Sequence, residues 1–75
     1  MGFLVVIEPT EAGYSAFVPD LEGCVARGRT RDQVERQVRA VIEFHCAGLR
    51  SRGEEPPVPN ALATYVEVAA REETG

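Results

Sequence analysis

The chain contains no lysine and no tryptophan, one histidine and only two cysteines. Two sulfurs 22 positions apart and a single imidazole fall short of a four-ligand zinc site and of a disulfide framework. We therefore interpret Cys24 and Cys46 as small buried apolar residues in a reducing compartment. His45 falls on an apolar helical stripe, which is more typical of a packed side chain than of a catalytic or ligating one.

Long apolar runs are also missing. No stretch approaches the roughly 18 apolar residues of a membrane span, and no basic segment leads into an apolar core at the start. These absences exclude a recognisable secretory signal or membrane anchor from the printed sequence. We predict a cytoplasmic protein with no membrane partner.

Acidic residues outnumber basic ones, giving a net charge of −4 over 75 residues. This balance disfavours direct nucleic-acid binding, which needs a basic stripe, and suits a basic partner. A chain of this length forms one domain and buries only roughly 60% of its unfolded surface. Small cores often gain stability by association, so we predict a homo-oligomer, either a dimer or a tetramer.

Apolar spacing and turn residues predict four strands and one helix. The helix, over residues 31–52, begins at the N-cap Thr30 with Gln33 completing a capping box, and ends at Gly53. Its apolar stripe is predicted to contain Val34, Val38, Val41, Ile42, His45 and Leu49. The strands are predicted at residues 3–7, 14–18, 24–29 and 62–69.

The order β-β-β-α-β predicts an α+β domain. A right-handed crossover through the helix would make the fourth strand parallel to the third. The continuous apolar run of the first strand indicates burial on both faces and a central position, so we predict a four-stranded mixed sheet in the order 3-2-1-4. One helix covers only one face of such a sheet, so we expect an interface on the other face. Residues 1–70 would form this domain, with 71–75 as a flexible tail.

No catalytic residues, metal ligands or cofactor-binding motif stand out. The strand order is similar to the first part of the ribonuclease H fold, whose nucleases hold two metal ions on carboxylates. Candidate carboxylates are Glu8, Glu67 and either Glu35 or Glu43, but no aspartate lies in a strand and Glu43 points away from the apolar stripe. We therefore predict no enzyme and no metal site.

Residues 18–24, read as Val-Pro-Asp-Leu-Glu-Gly-Cys, resemble the hallmark segment of the HicB antitoxin family, usually V-P-D-L-P-G-C. The resemblance covers roughly residues 3–60, from the opening hairpin through the helix to the proline-rich exit after Gly53. In two respects the chain departs from the family. Glu22 replaces the common proline, and the printed sequence holds none of the DNA-binding modules that many members carry C-terminally, so we expect no direct DNA binding.

The resemblance implies a partly degraded ribonuclease H fold and a partner, HicA, a small basic mRNA interferase. Such an antitoxin would cover the RNA-binding surface or the catalytic histidine of the toxin, without chemistry of its own. Our inference from the turn, which the family motif does not assign, is that Asp20, Leu21 and Glu22 contact the partner. The alternatives are that this turn is only a fold element, and that the chain is an orphan self-associating structural or regulatory domain with no toxin.

Overall fold

The structure is a computed structural model that describes residues 2–70. It contains an α+β fold with three strands, β1 (Val6–Thr10), β2 (Gly13–Phe17) and β3 (Val25–Gly28), followed by one helix, α1 (Arg31–Ser51). The strands form an antiparallel sheet in the order β1-β2-β3. The predicted positions of the second and third strands and of the helix are confirmed to within one residue at each end.

The register of the sheet separates two faces. Ala16 lies opposite Ile7 on one side and opposite Ala26 on the other, and this row packs into the core under the helix. Neighbouring residues along a strand point to opposite faces. Phe17, which lies opposite Val6 and Val25, therefore points away from the helix.

Both ends of α1 are closed by local hydrogen bonds. Thr30 Oγ1 accepts from the backbone amide of Gln33 at 3.0 Å, and Gln33 Oε1 accepts from the amide of Arg29 at 2.6 Å. At the other end Gly53 has φ +78°, and its amide donates to the carbonyl of Arg50. This left-handed residue ends the helix as predicted, since glycine adopts that conformation without the strain a Cβ brings.

The core lies between α1 and the β2–β3 half of the sheet. Gly28 sits so close to the helix that a Cβ there would lie 2.7 Å from the backbone nitrogen of Val34. This close approach brings the first turn of α1 onto β3. The buried apolar residues are Ala16, Val18, Leu21, Cys24, Val34, Val38 and Cys46, so the predicted burial of both cysteines is confirmed.

The prediction of a fourth strand is wrong for the described chain. Residues 62–69 belong to no strand, and Leu62 and Tyr65 are almost fully exposed. A strand requires a hydrogen-bonding partner, and sequence alternation alone does not supply one. The sheet order 3-2-1-4 and the ribonuclease H-like fold are therefore not supported, although the order of the first three strands agrees.

The first strand also differs from its prediction. It begins at Val6 rather than Phe3, and it forms an edge of the sheet rather than its centre. Its continuous apolar run reflects two different surroundings, with Ile7 facing the helix side and Val6 the opposite face. Residues 71–75, predicted to be a flexible tail, lie outside the described residues.

Candidate partner-binding surfaces

The turn that follows β2 is a tightly closed loop. The amide of Leu21 donates to the carbonyl of Val18 at 3.1 Å, and the amide of Cys24 donates to the carbonyl of Leu21 at 3.1 Å. The amide of Val18 in turn donates to the carbonyl of Cys24 at 3.2 Å, across the base of the loop. These three internal hydrogen bonds fix the backbone conformation of the loop.

Asp20 connects this loop to the C-terminal part of the chain. One carboxylate oxygen, Oδ2, accepts hydrogen bonds from the backbone amides of Asn60 and Ala61, each at 2.9 Å. These two bonds, the one from Ala61 first, hold the pKa of Asp20 below its ordinary value of 3.8, because they stabilise the charged form. Asp20 is thus an anchor for residues 60 and 61.

The other two members of the predicted contact trio differ sharply in exposure. Leu21 is 2% exposed and belongs to the core. The side chain of Glu22 is exposed beside the glycine at the tip of the loop. A partner-binding role for Asp20, Leu21 and Glu22 stays a prediction, in which Glu22 is the member most open to direct contact.

The sheet face opposite the helix carries an apolar row. Val6, Phe17 and Val25 lie side by side across the three strands, with Phe17 41% and Val25 61% exposed. We call these three residues the outer row. The adjacent row on the same face is polar, formed by Glu8, Ser15 and Arg27. This face therefore offers a compact apolar contact flanked by charges of both signs.

A second surface lies beside β1, where the sheet ends under the helix. It is a groove of about 500 Å³, which we call the edge groove. Its apolar wall comes from residues before and within β1 and from the near side of α1, and its rim is charged. The lining residues are Gly2, Phe3, Val5, Ile7, Arg31, Glu35, Val38, Arg39, Ile42 and Glu43.

The described residues show no arrangement suited to metal chemistry. Within residues 2–70, no group of three or more histidine, cysteine, aspartate or glutamate side chains is placed to hold a metal ion. All four candidate carboxylates are exposed, and only Glu35 and Glu43 lie at the edge groove; the four are Glu8, Glu35, Glu43 and Glu67. Over the same residues, no helix is both long and apolar enough to cross a membrane.

The buried thiol of Cys24 is likewise unsuited to nucleophilic chemistry. Burial is the main cause of its raised pKa, and the neighbouring Cys46 thiol adds to the shift. A thiol with a raised pKa stays protonated and is a poor nucleophile at neutral pH. Its surroundings are those of a packed apolar residue, as the sequence predicted.

Comparison with known protein families shows which family this chain belongs to. A family model described as the HicB_like antitoxin of bacterial toxin-antitoxin systems matches residues 3–73. The chain belongs to the HicB-like antitoxin family. The match extends beyond the hallmark segment at residues 18–24 to nearly the whole chain, so the expected family membership is confirmed.

Two curated relatives are similar to this HicB-like chain. A UPF0150 protein of Helicobacter pylori is 41% identical over 46 residues, covering 61% of the chain and 64% of the relative. An uncharacterized 14.9 kDa protein from the rep-hol intergenic region of Haemophilus phage HP1 is 32% identical over 66 residues, covering 88% of the chain and 50% of the relative. The chain thus spans half to two thirds of these relatives. No solved structure matches it significantly.

Sequence reasoning missed two features of these surfaces. The bonds from Asn60 and Ala61 to Asp20 join positions about 40 residues apart, and no local pattern signals such a pairing. The outer row was partly visible in the sequence, because Phe17 alternates with Ala16 along a strand. Assigning Phe17 to the open face required the cross-strand register, which only the folded sheet supplies.

Proposed function

We propose that this HicB-like chain binds a small basic HicA-type mRNA interferase and blocks it by occlusion, acting in the cytoplasm and without catalysis. The observation that carries the proposal is the antitoxin family match across residues 3–73. Antitoxins of toxin–antitoxin pairs act on a partner toxin, and this family membership supports a non-catalytic binding role. The identity of the toxin as HicA-like is part of the proposal.

The outer row is the surface we assign to the toxin. An exposed aromatic at the centre of an apolar patch is a typical interface anchor, and Phe17 occupies that position between Val6 and Val25. The net charge of −4 favours encounter with a basic ribonuclease and disfavours nucleic acid as a competitor. Glu22 and Glu8 are exposed acidic residues available to such a partner.

The first experiment tests for the toxin. The genes beside that of this chain are searched for one encoding a small basic protein, the two are co-expressed, and complex formation and RNA cleavage by that protein are measured. We expect a stable complex and suppression of cleavage at equimolar chain. A neighbouring ribonuclease that neither binds the chain nor is inhibited by it would contradict the proposal.

A matched pair of substitutions then locates the contact. Phe17→Ala removes the centre of the outer row, whereas Phe44→Ala removes an aromatic that is 83% exposed on the helix, away from this sheet face. We expect Phe17→Ala to weaken toxin binding by about tenfold or more, in the range of an interface anchor, and Phe44→Ala to leave it nearly unchanged. The reverse result would move the toxin site to the helix.

A further inference from the structure

The outer edge of β1 is open to an additional strand. Among residues 2–70, β1 pairs with β2 only. Pro9 has no amide hydrogen and lies opposite Tyr14, as expected where the backbone N–H would point away from β2. Backbone groups two residues apart point the same way, so those of Ile7 and Val5 also face the free edge.

The edge groove lies directly beside this free edge. The helix packs on β3 and β2, and the inner side of β1 is only half covered. Phe3, Val5 and Ile7 line the groove from the sheet side, and Val38 and Ile42 line it from the helix. One further strand along β1 would extend the sheet beneath the helix and fill the groove with its inward-facing side chains.

A segment with the right pattern and length is present in the same chain. Leu62, Thr64, Val66 and Val68 alternate along an extended stretch, and the three apolar members are 94%, 77% and 79% exposed. Seven extended residues span about 23 Å, enough to run along the five residues of β1. An exposed alternating apolar segment of this kind is suited to pairing with an open sheet edge.

Beyond its anchor at Asp20, the segment does not pack on its own domain. Asp20 holds the amides of Asn60 and Ala61, and beyond this point the chain leaves the body of the domain. Tyr65 is fully exposed, and the long dimension of the molecule is 61 Å against 28 and 17 Å for the other two. The segment is therefore exposed and accessible to a second molecule.

We propose that residues 62–68 of one copy add as a strand to the β1 edge of a second copy and fill its edge groove, with the exchange made reciprocally in a twofold dimer. Exchange of identical elements satisfies both free edges and both exposed segments at once. Glu67 falls with Ala63 on the opposite face of the segment and would point away from the groove. The strand exchange does not rest on the proposed toxin contact at the outer row.

Disulfide trapping distinguishes exchange between copies from pairing within one copy. Three double variants combine Val5→Cys, on the edge groove, with a cysteine at Leu62, Thr64 or Val66. Directly opposed cross-strand positions lie close enough for a disulfide, so we expect at least one variant to form a covalent dimer under mild oxidation. The native Cys24 and Cys46 are buried, and the unmodified chain oxidised in parallel shows any disulfide that they form with each other.

In the control variants, the cysteine on the sheet is moved from Val5 to the opposite edge strand, β3. Arg27→Cys combined with the same three positions probes β3 rather than β1, and we expect little trapping there. A disulfide formed within one chain would overturn the proposal, because the segment would then complete its own sheet. Trapping no stronger than in the Arg27 controls would overturn it as well.

Light scattering gives a second readout that needs no cross-link. The unmodified chain is expected at twice its 8.2 kDa mass at high concentration, dissociating on dilution.

Val66→Asp places a carboxylate on the face that enters the groove and should weaken dimerisation at least about tenfold. Ala63→Asp adds the same charge to the opposite face and should change the dimer dissociation constant by no more than about twofold. Equal effects of the two substitutions, or a monomeric unmodified chain, would contradict strand exchange.

Discussion

The two halves of this domain have similar apolar patterns but very different packing. Where α1 covers β2 and β3, Val34 and Val38 are almost completely buried, and both ends of the helix are closed by hydrogen bonds. Around β1 and residues 62–70, equally apolar side chains are half covered or exposed. We call these the packed half and the open half.

The difference shows what an apolar pattern determines. In the packed half, local signals and tertiary contacts agree, because the capped helix α1 packs on β3, the strand that precedes it in the chain. In the open half, the alternation of apolar and polar residues creates an apolar face, but it does not specify which surface that face packs against. A domain this small can leave such a face for a partner, because association then supplies part of the missing core.

The largest expected effect comes from the closest contact in the packed half. Gly28→Ala would place a Cβ 2.7 Å from the backbone nitrogen of Val34 and 3.0 Å from its Cα, and neither backbone atom can move without shifting the helix. We expect a loss of about 2–3 kcal/mol in the free energy of unfolding, measured by urea denaturation.

Gly48→Ala is the matched control for this substitution. It lies within the helix, where a new Cβ would approach only the flexible end of Arg52, at 3.7 Å. Replacing glycine by alanine inside a helix stabilises it by up to about 1 kcal/mol. If both substitutions changed stability in the same direction, the close approach of β3 and α1 would be wrong.

Side-chain truncation compares the two halves directly. Val34→Ala removes methyl groups from a fully buried site that does not line the edge groove, and should cost about 1–2 kcal/mol at any protein concentration. Leu62→Ala removes a larger side chain from a site that is 94% exposed, and should have almost no effect in dilute solution. The melting temperature of both proteins is measured across a range of concentrations.

Concentration dependence sharpens this comparison. If the exposed segment seats in a second copy, Leu62→Ala lowers the melting temperature only at concentrations where the unmodified chain is dimeric. A clear loss of stability in dilute, monomeric Leu62→Ala would mean that the segment packs against its own domain. The division into a packed and an open half would then fail.

Removal of the helix cap tests the local signal of the packed half. Thr30→Ala eliminates the acceptor for the amide of Gln33, bonded at 3.0 Å, and should cost about 1 kcal/mol. Thr30→Ser keeps the hydroxyl and serves as the control, with stability close to that of the unmodified chain. An equal loss in both variants would show that the threonine methyl, not the cap, is responsible.

The smallest expected effect concerns the link between the two halves. Because the folded pKa of Asp20 is lowered, its bonds to Asn60 and Ala61 contribute above the ordinary value of 3.8 and are lost as the pH falls through the lower folded value. The amide resonances of Asn60 and Ala61 should therefore shift together at a pH below 3.8.

Asp20→Asn provides the control for this titration. It keeps an acceptor oxygen but removes the charge, so the acid transition of the two amides should disappear. If Asn60 and Ala61 titrate unchanged in Asp20→Asn, another carboxylate causes the shift and the anchor is incorrectly assigned.

Much of the packed half was predictable because its signals are local. Thr30, Gln33 and Gly53 lie within a few residues of the helix ends that they close, and Val34 and Val38 repeat at helical spacing. The hallmark segment at residues 18–24 likewise indicated the family that the match over residues 3–73 confirms. The predicted contact trio at Asp20, Leu21 and Glu22 stays untested, although the fold has given Asp20 and Leu21 structural roles.

The sequence by itself determined the three-strand order, the helix with its caps, the burial of both cysteines and the antitoxin family, since each depends on neighbouring residues or on a contiguous motif. Only the tertiary structure decided that β1 is an edge, that Asp20 binds residues 60 and 61, and that residues 62–69 form no strand. Those outcomes depend on contacts between distant parts of the chain. The alternation of apolar residues specifies which side chains share a face, but hydrogen bonding between distant segments decides whether a strand is paired.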